Sequence, residues 1–467
     1  MPRQTAKPGL PGRLMGYLER NLTTGSISFH SAVSIFIPLL VDQAILSVLG
    51  IFNSSMVSSS GEYAVSAVSM VDSLNMFLMN FFIAVATGAT VVVAQYIGKR
   101  DRERAARTIS QAILSSGAIA LLLGVLVIVF SVPIMQLLFG NAEAPVFANG
   151  RIYLIGSCIS YPFYAALQTV LGSLRGMGDT RPSMVLSILA NVLYLVGNFV
   201  LINLCGLGVL GLSVSLVVSR AISAAASLVY LIKTRRDLHI RARDFFRLDA
   251  SLQKSILFIG LPTGTEQIFF HGGKILTQTF IVALGTASMT ANAIANSITM
   301  LFYIPGNAAQ LAAVTIVGQC VGAGSPTDGR FMLRNINKLS VYLQILFAAV
   351  FLPFSPLILK MYHASPQVEG VVMQLVVLIA VGIPLFWSRS FITPAGLRAA
   401  GDAVFTSAVS LTTMWLGRVV MGYVFGLVLR WDIQGVILAM VLEWAVRGLI
   451  FSLRLRGEKW YRHKVIQ

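Results

Sequence analysis

Runs of mostly apolar residues follow one another from about residue 32 to residue 456, separated by short polar connections. Each is long enough to cross a bilayer, which takes about 20 such residues in a helix. Within the hydrocarbon layer each backbone N–H and C=O must find a partner inside the segment, so runs of this length are read as helices. The reading predicts spans over 32–56, 64–92, 106–131, 151–172, 183–203, 208–232, 255–283, 288–318, 334–358, 370–395, 404–428 and 434–456. Of the 467 residues, 56% are hydrophobic and only 11% charged, where soluble domains carry about 25% charged residues. The spans leave little polar sequence over, and the predicted class is an all-α polytopic membrane protein of about twelve transmembrane helices.

The formal charge of +17 would suit a nucleic-acid binder, but its placement does not. Lys99, Arg100, Arg102, Arg104 and Arg107 follow span 2, and Arg175 and Arg181 follow span 4. Lys233, Arg235, Arg236, Arg241, Arg243, Arg247 and Lys254 lie between spans 6 and 7; Arg330, Arg334 and Lys338 follow span 8, and Arg398 follows span 10. The alternate loops are almost free of base, with Lys360, Arg430 and Arg151 their basic residues. That asymmetry puts both termini in the cytoplasm of an inner or plasma membrane. Anionic lipid headgroups account for the charge, and no nucleic-acid partner is expected. The first 29 residues hold no short apolar stretch ending at a small-residue cleavage site, so the first span is expected to target the chain. Cys158, Cys205 and Cys320 are scattered and imply neither a disulfide framework nor a metal site.

The two halves repeat each other. Pro38, Asp42 and Gln43 match Pro262, Glu266 and Gln267, and Gln95 and Gly98 match Gln319 and Gly322, each shifted by 224 residues (38 to 262). Leu174, Arg175, Gly178 and Asp179 match Leu397, Arg398, Gly401 and Asp402 at a shift of 223 (174 to 397), and Gly211 matches Gly435. The expected organisation is a cytoplasmic segment 1–29, an N-lobe 30–233, a linker 234–254, a C-lobe 255–457 and a tail 458–467. Six spans per half keep both copies in one orientation, so the pseudo-twofold axis runs along the membrane normal. Two six-helix bundles meeting there frame a central cavity.

These ordered motifs carry a resemblance to the multidrug and toxic compound extrusion (MATE) transporters over essentially the whole chain. It rests on the Pro38–Asp42 and Pro262–Gln267 segments, Gln95 to Gly98 and its copy, the two Leu-Arg-x-x-Gly-Asp turns, Arg418 and the closing Gly457 to Trp460. The resemblance implies two six-helix bundles around a V-shaped cavity, and efflux of organic, often cationic, compounds against inward H⁺ or Na⁺. A carboxylate that the family carries later in span 1 falls on Asn53 here, and the span-10 carboxylate of some sodium-coupled members is missing between Val381 and Leu397. Either Asp42 replaces that N-lobe acid or coupling rests on the C-lobe around Glu266, and the choice of ion stays open.

A charged residue inside a span costs about 2.5–3.5 kcal/mol on insertion scales, so each needs a reason. Asp42 and Glu266, equivalent in the two halves and each followed by a glutamine, are the first candidates for ion coupling. Burial disfavours a carboxylate's charged form and a nearby cation favours it, so such a group can exchange a proton near neutral pH. It can equally hold Na⁺ or meet a cationic substrate, or serve structurally beside a proline. Lys274, eight residues on, is a candidate counter-ion for Glu266, although it lies two turns away. Gln43, Gln267, Asn53 and Arg389 complete the candidate ion or substrate set; His271 reads as a packed residue. Glu443 and Arg447, four apart, read as a self-neutralised pair. Arg175, Asp179, Arg398 and Asp402 read as gate or scaffold: Gly178 and Gly401 permit the tight turn, the aspartates cap the next helix, and the arginines pair with acids of the lobe or with lipid phosphates.

The Gly206 to Gly211 match to a dinucleotide fingerprint lies between two membrane spans and is rejected. No phosphate-binding lysine loop, metalloprotease motif or nucleophile elbow occurs, so an enzyme reading finds no support. The reading is therefore an ion-coupled antiporter of a small organic cation, with no cofactor beyond H⁺ or Na⁺, acting as a monomer among membrane lipids. Apolar, Met and Phe side chains are expected to line its cavity. A lipid-linked saccharide flippase is the alternative, and would call for a cavity lined with arginine.

Overall fold

The computed structural model describes residues 16, 19–58, 62–140, 143–234, 249–362, 365–463 and 465–466, leaving out the side chains of residues 51, 53–58, 139, 234 and 361. We number the membrane-length helices in chain order. The N-terminal half holds α1 (Phe29–Ser58), α2 (Glu62–Gly98), α3 (Arg102–Val129), α4 (Ala144–Met177), α5 (Thr180–Leu204) and α6 (Gly208–Lys233). The C-terminal half holds α7 (Ala250–Ala283), α8 (Thr286–Gly322), α9 (Pro326–Lys360), α10 (Pro366–Ala399), α11 (Ala403–Val428) and α12 (Asp432–Arg456). No strand occurs among the described residues. Eleven of these helices are apolar enough to span by composition. The exception is α7, which is 34 residues long but diluted by Thr263, Thr265, Glu266, Gln267, His271 and Lys274. Asp249 starts α7 by accepting from the backbone N–H groups of Ser251 and Leu252. The helix thus begins four residues before the expected end of the linker, and residues 235–248 lie outside the described residues.

Outward-facing Leu122, Val129, Leu416 and Leu449 are exposed, as a surface solvated by lipid requires. Between the halves, α2 packs on α7 and α8, and α1 packs on α8. Here small residues bring backbones together, as is usual where no hydrophobic effect drives helix association. Gly98 and Gly322 mark the closest crossing of α2 and α8. A Cβ at Gly98 would be driven into the carbonyl oxygen of Gln319, and one at Gly322 into that of Gln95.

This crossing lies at the end of the bundle that carries Lys99 to Arg107. Gln95 Nε2 donates to the Ala399 carbonyl at 2.7 Å, and Gln319 Nε2 donates to the Gly176 carbonyl at 3.0 Å. The two bonds are copies of each other under the internal repeat. Each glutamine reaches the residue just after the arginine of the other half's Leu-Arg-x-x-Gly-Asp turn. Thr315 Oγ1 adds a bond to the Arg175 carbonyl at 3.0 Å. Further out, the Ser26 N–H and hydroxyl both donate to Asp328, and the Asp249 N–H donates to Gln111. The basic end is sealed by polar contacts between lobes.

Gly178 and Gly401 sit at φ +90° and +103°, which confirms the tight turn expected of them. The capping expected of the aspartates does not occur through their side chains. Asp402 instead takes two hydrogen bonds from Arg454, at 2.7 and 3.0 Å, tying α12 to the start of α11.

Candidate transport site

A cavity of about 780 Å³ lies between the lobes, within the range of sites that take drug-sized ligands. It sits on the far side of the seal. Gln43 of α1, Met79 and Ile83 of α2, Tyr164 of α4, Tyr194 of α5 and Arg220 of α6 line its N-terminal wall. Gln267 of α7, Asn307 and Gln310 of α8 and Arg398 of α10 line the other. The charged residues of the lining are Arg175, Arg220 and Arg398. Asp42 and Glu266 stand behind it, almost wholly buried.

Glu266 is held firmly. Arg398 Nη1 donates to its Oε2 at 2.9 Å, and the Ser407 hydroxyl donates to the same oxygen at 2.9 Å. Asp42 occupies the equivalent place more loosely. Arg175 Nη2 lies 3.8 Å from its Oδ2, Gln43 Nε2 lies 3.5 Å from the same atom, and its Oδ1 is buried with no hydrogen-bond partner. Arg175 also donates from Nε to the Ser183 hydroxyl at 3.0 Å. The acids of α1 and α7 therefore pair with the arginines of the Leu-Arg-x-x-Gly-Asp turns. Sequence reasoning left these arginines to acids of the lobe or to lipid phosphates; the structure names the acids as Asp42 and Glu266.

Two expectations are corrected. Glu266 is neutralised by Arg398 from a neighbouring helix, not by Lys274. Lys274 is exposed and makes no ion pair among the described residues, because two helical turns carry it away from the acid. Arg389 is exposed and does not line the cavity; the neighbouring Ser390 and Phe391 face inward instead, bonding and stacking against Arg447. Gln43 and Gln267 do line the cavity, one in each lobe. Asn53 lies on α1, but its side chain is outside the described residues. Sequence reasoning passed over Tyr164, Tyr194, Asn307 and Gln310, whose polar groups sit at membrane depth; that placement was the available signal.

A second charged cluster lies within the C-lobe. Glu443 bridges Arg418 at 2.7 Å and Arg447 at 3.0 Å, so the expected pair is a triad. Arg447 also donates to the Ser390 hydroxyl at 2.6 Å and stacks 4.1 Å from the Phe391 ring centre. Arg418 comes from a stretch of wider, π-type turns over Met414–Val420, a local feature that re-aims side chains within a helix.

The family model MatE matches residues 38–200 and again 262–424. The chain belongs to the MATE family. The two matched segments are displaced by 224 residues (38 to 262), the spacing of the internal repeat. Among curated relatives, the uncharacterized transporter YisQ of Bacillus subtilis is 27% identical over 408 residues, covering 85% of this chain and 88% of the relative. The probable multidrug resistance protein NorM of Thermotoga maritima is 22% identical, covering 84% of each. A solved MATE transporter of the MOP superfamily in its outward-facing conformation superposes with a TM-score of 0.81 at 20% identity, covering 91% of this chain and 94% of that one. The chain is thus a multi-pass membrane transporter of the MATE fold, and not an enzyme.

Proposed function

We propose that this chain is a secondary active transporter that exports a small amphipathic organic compound through the central cavity in exchange for H⁺ or Na⁺, by alternating access. One observation carries the reading: in each lobe, a single turn serves both a buried carboxylate and the seal between lobes. The Arg175 side chain faces Asp42, and the next carbonyl, at Gly176, takes Gln319 of the other lobe. Arg398 holds Glu266, and the next carbonyl, at Ala399, takes Gln95. An ion that neutralises the carboxylate removes the attraction holding the arginine. The turn is then free to shift, and the glutamine of the opposite lobe loses its acceptor position. Ion binding on the cavity side thereby favours opening at the basic end, the sequence of steps an exchanger needs. The unbonded Oδ1 of Asp42 offers a place for a proton or a small cation.

The positive-inside asymmetry supports a cytoplasmic basic end and termini in an inner or plasma membrane, and the cavity then faces outward. The polar, apolar and aromatic lining suits varied small substrates, in keeping with the multidrug name of the Thermotoga relative. Met79 and the two tyrosines are present, although among the described residues no Phe lines the cavity.

The test is uptake of ethidium or another organic compound into proteoliposomes, with pH and Na⁺ gradients imposed separately, for wild type and Glu266→Gln. Uptake driven by one gradient and lost in the variant supports exchange through that carboxylate and names the ion. A folded protein that responds to neither gradient sinks the exchanger. A second reading, the lipid-linked saccharide flippase, draws support from the three arginines of the lining, and would show as loss of a labelled lipid from one leaflet without any gradient.

A further inference from the structure

Resting on the transporter reading, we infer that the cavity recognises an amphipathic organic anion, with Arg220 holding its carboxylate, sulfonate or phosphate group, and not the cation expected from the sequence. The expectation of a cation came from the family resemblance, with Asp42 and Glu266 as the acids that would face such a substrate. They do not: both are buried behind the wall, each turned toward an arginine that stands between it and the cavity. Among the described residues, a substrate entering the cavity meets three guanidinium groups and no carboxylate.

The three arginines are not equivalent. Arg175 and Arg398 have acidic partners. Arg220 has none within ion-pair distance among the described residues. Its Nη1 donates to the Ser160 hydroxyl at 2.7 Å, its Nη2 has only the Met79 sulfur at 3.6 Å, and the group lies 4.6 Å over the Tyr164 ring. A thioether is a weak acceptor, so one arm of the guanidinium keeps its donors for a ligand. Asp72 of α2, outside ion-pair distance of Arg220, takes hydrogen bonds from the Tyr153 hydroxyl at 2.9 Å and from Asn75 at 3.3 Å. The guanidinium over the Tyr164 ring is a planar, permanently charged donor group, the kind that pairs with a carboxylate or phosphate. Gln168 and Asn191 flank the same wall, Asn191 with one amide N–H already given to the Ser187 carbonyl at 2.9 Å, and Leu167, Leu195 and Leu216 supply apolar surface for the rest of the molecule. A protonated amine in this place would sit against a fixed positive charge with no acid to receive it.

The experiment uses two xanthene dyes of similar shape and opposite charge, fluorescein and tetramethylrhodamine methyl ester. Binding is read by fluorescence anisotropy with the full chain in lipid nanodiscs, against empty nanodiscs, and uptake is followed in proteoliposomes under the imposed gradients. Fluorescein is expected to bind more tightly than the rhodamine. Arg220→Gln should weaken fluorescein binding by roughly tenfold or more, the loss of a charge-assisted pair, and Arg220→Lys should recover part of it. Arg389→Gln, outside the cavity, should leave binding unchanged. Rhodamine binding and moving while fluorescein does neither overturns the anion assignment and leaves the transporter reading standing. Fluorescein binding that depends on Arg220, with neither dye moved by any gradient, upholds the site and removes the exchanger. A labelled phosphatidylglycerol crossing the bilayer in an Arg220-dependent manner, with fluorescein bound but not carried, upholds the same anion chemistry and makes a lipid headgroup its source. Fluorescein binding equal in wild type and Arg220→Gln overturns the role of Arg220.

Discussion

Glu266 and Asp42 occupy equivalent positions and are held differently. Glu266 accepts two short bonds on one oxygen, while Asp42 has two long contacts and an unbonded oxygen. Breaking a buried pair leaves its partner's charge without compensation, which costs about 3 kcal/mol or more. Arg398 borders the cavity and can recover some hydration, so Glu266→Gln is expected at the lower end, about 3 kcal/mol. It should appear as a clear drop in melting temperature in detergent, together with loss of ion-driven uptake. The double variant Glu266→Gln/Arg398→Gln should recover most of the melting loss yet stay uncoupled. Recovery of uptake as well would show that the pair is structural. Asp42→Asn should cost less, about 1 kcal/mol, because less holds that acid in place. The sequence made both carboxylates visible, since an acid in a span stands out. Their unequal grip came from Ser407 and from a difference in distance that no spacing records.

At the level of helices, the repeated Gln95–Gly98 and Gln319–Gly322 motifs serve one purpose. The glycines let α2 and α8 touch, and the contact brings each glutamine to the opposite turn. Replacing both glutamines with leucine orphans two buried carbonyls and removes two bonds, at about 1–3 kcal/mol each. A shift of that size raises the fraction open at the basic end by roughly tenfold or more. Spin labels at the exposed positions Arg107 and Arg334 should then report a longer distance population. Gly98→Val should act in the same direction, since its side chain has no room against the Gln319 carbonyl. An unchanged distance distribution in both variants would argue that the outer contacts alone hold the seal. The motifs could be read as repeats from sequence. That they answer each other across the pseudo-twofold could not, because each bond joins residues on opposite lobes.

For the molecule as a whole, alternating access requires the lobes to part where Ser26 now donates twice to Asp328, 302 residues away. Cysteines at these two positions, with the exposed Cys205 replaced by serine, are expected to form a disulfide that stops transport. Reductant should restore it. Full transport by the cross-linked protein would mean that the basic end need not open there. Cys158 and Cys320 are buried and stay out of the reaction.

Span number, repeat, charge asymmetry and family resemblance were readable from the chain because they arise locally. Lipid demands about 20 apolar residues at each crossing, and loop charge is set by the neighbouring leaflet. The candidate acids were legible for the same reason, since a charge in hydrocarbon is costly wherever it lies. What each charge faces is settled by helices that converge from far apart in sequence. Arg398 comes to Glu266 across 132 residues and displaces the nearer Lys274 from the expected pairing. The same convergence turns the carboxylates away from the cavity and the arginines toward it. It reverses the polarity that the in-span residues suggested, because a side chain's direction depends on the packing of the whole bundle.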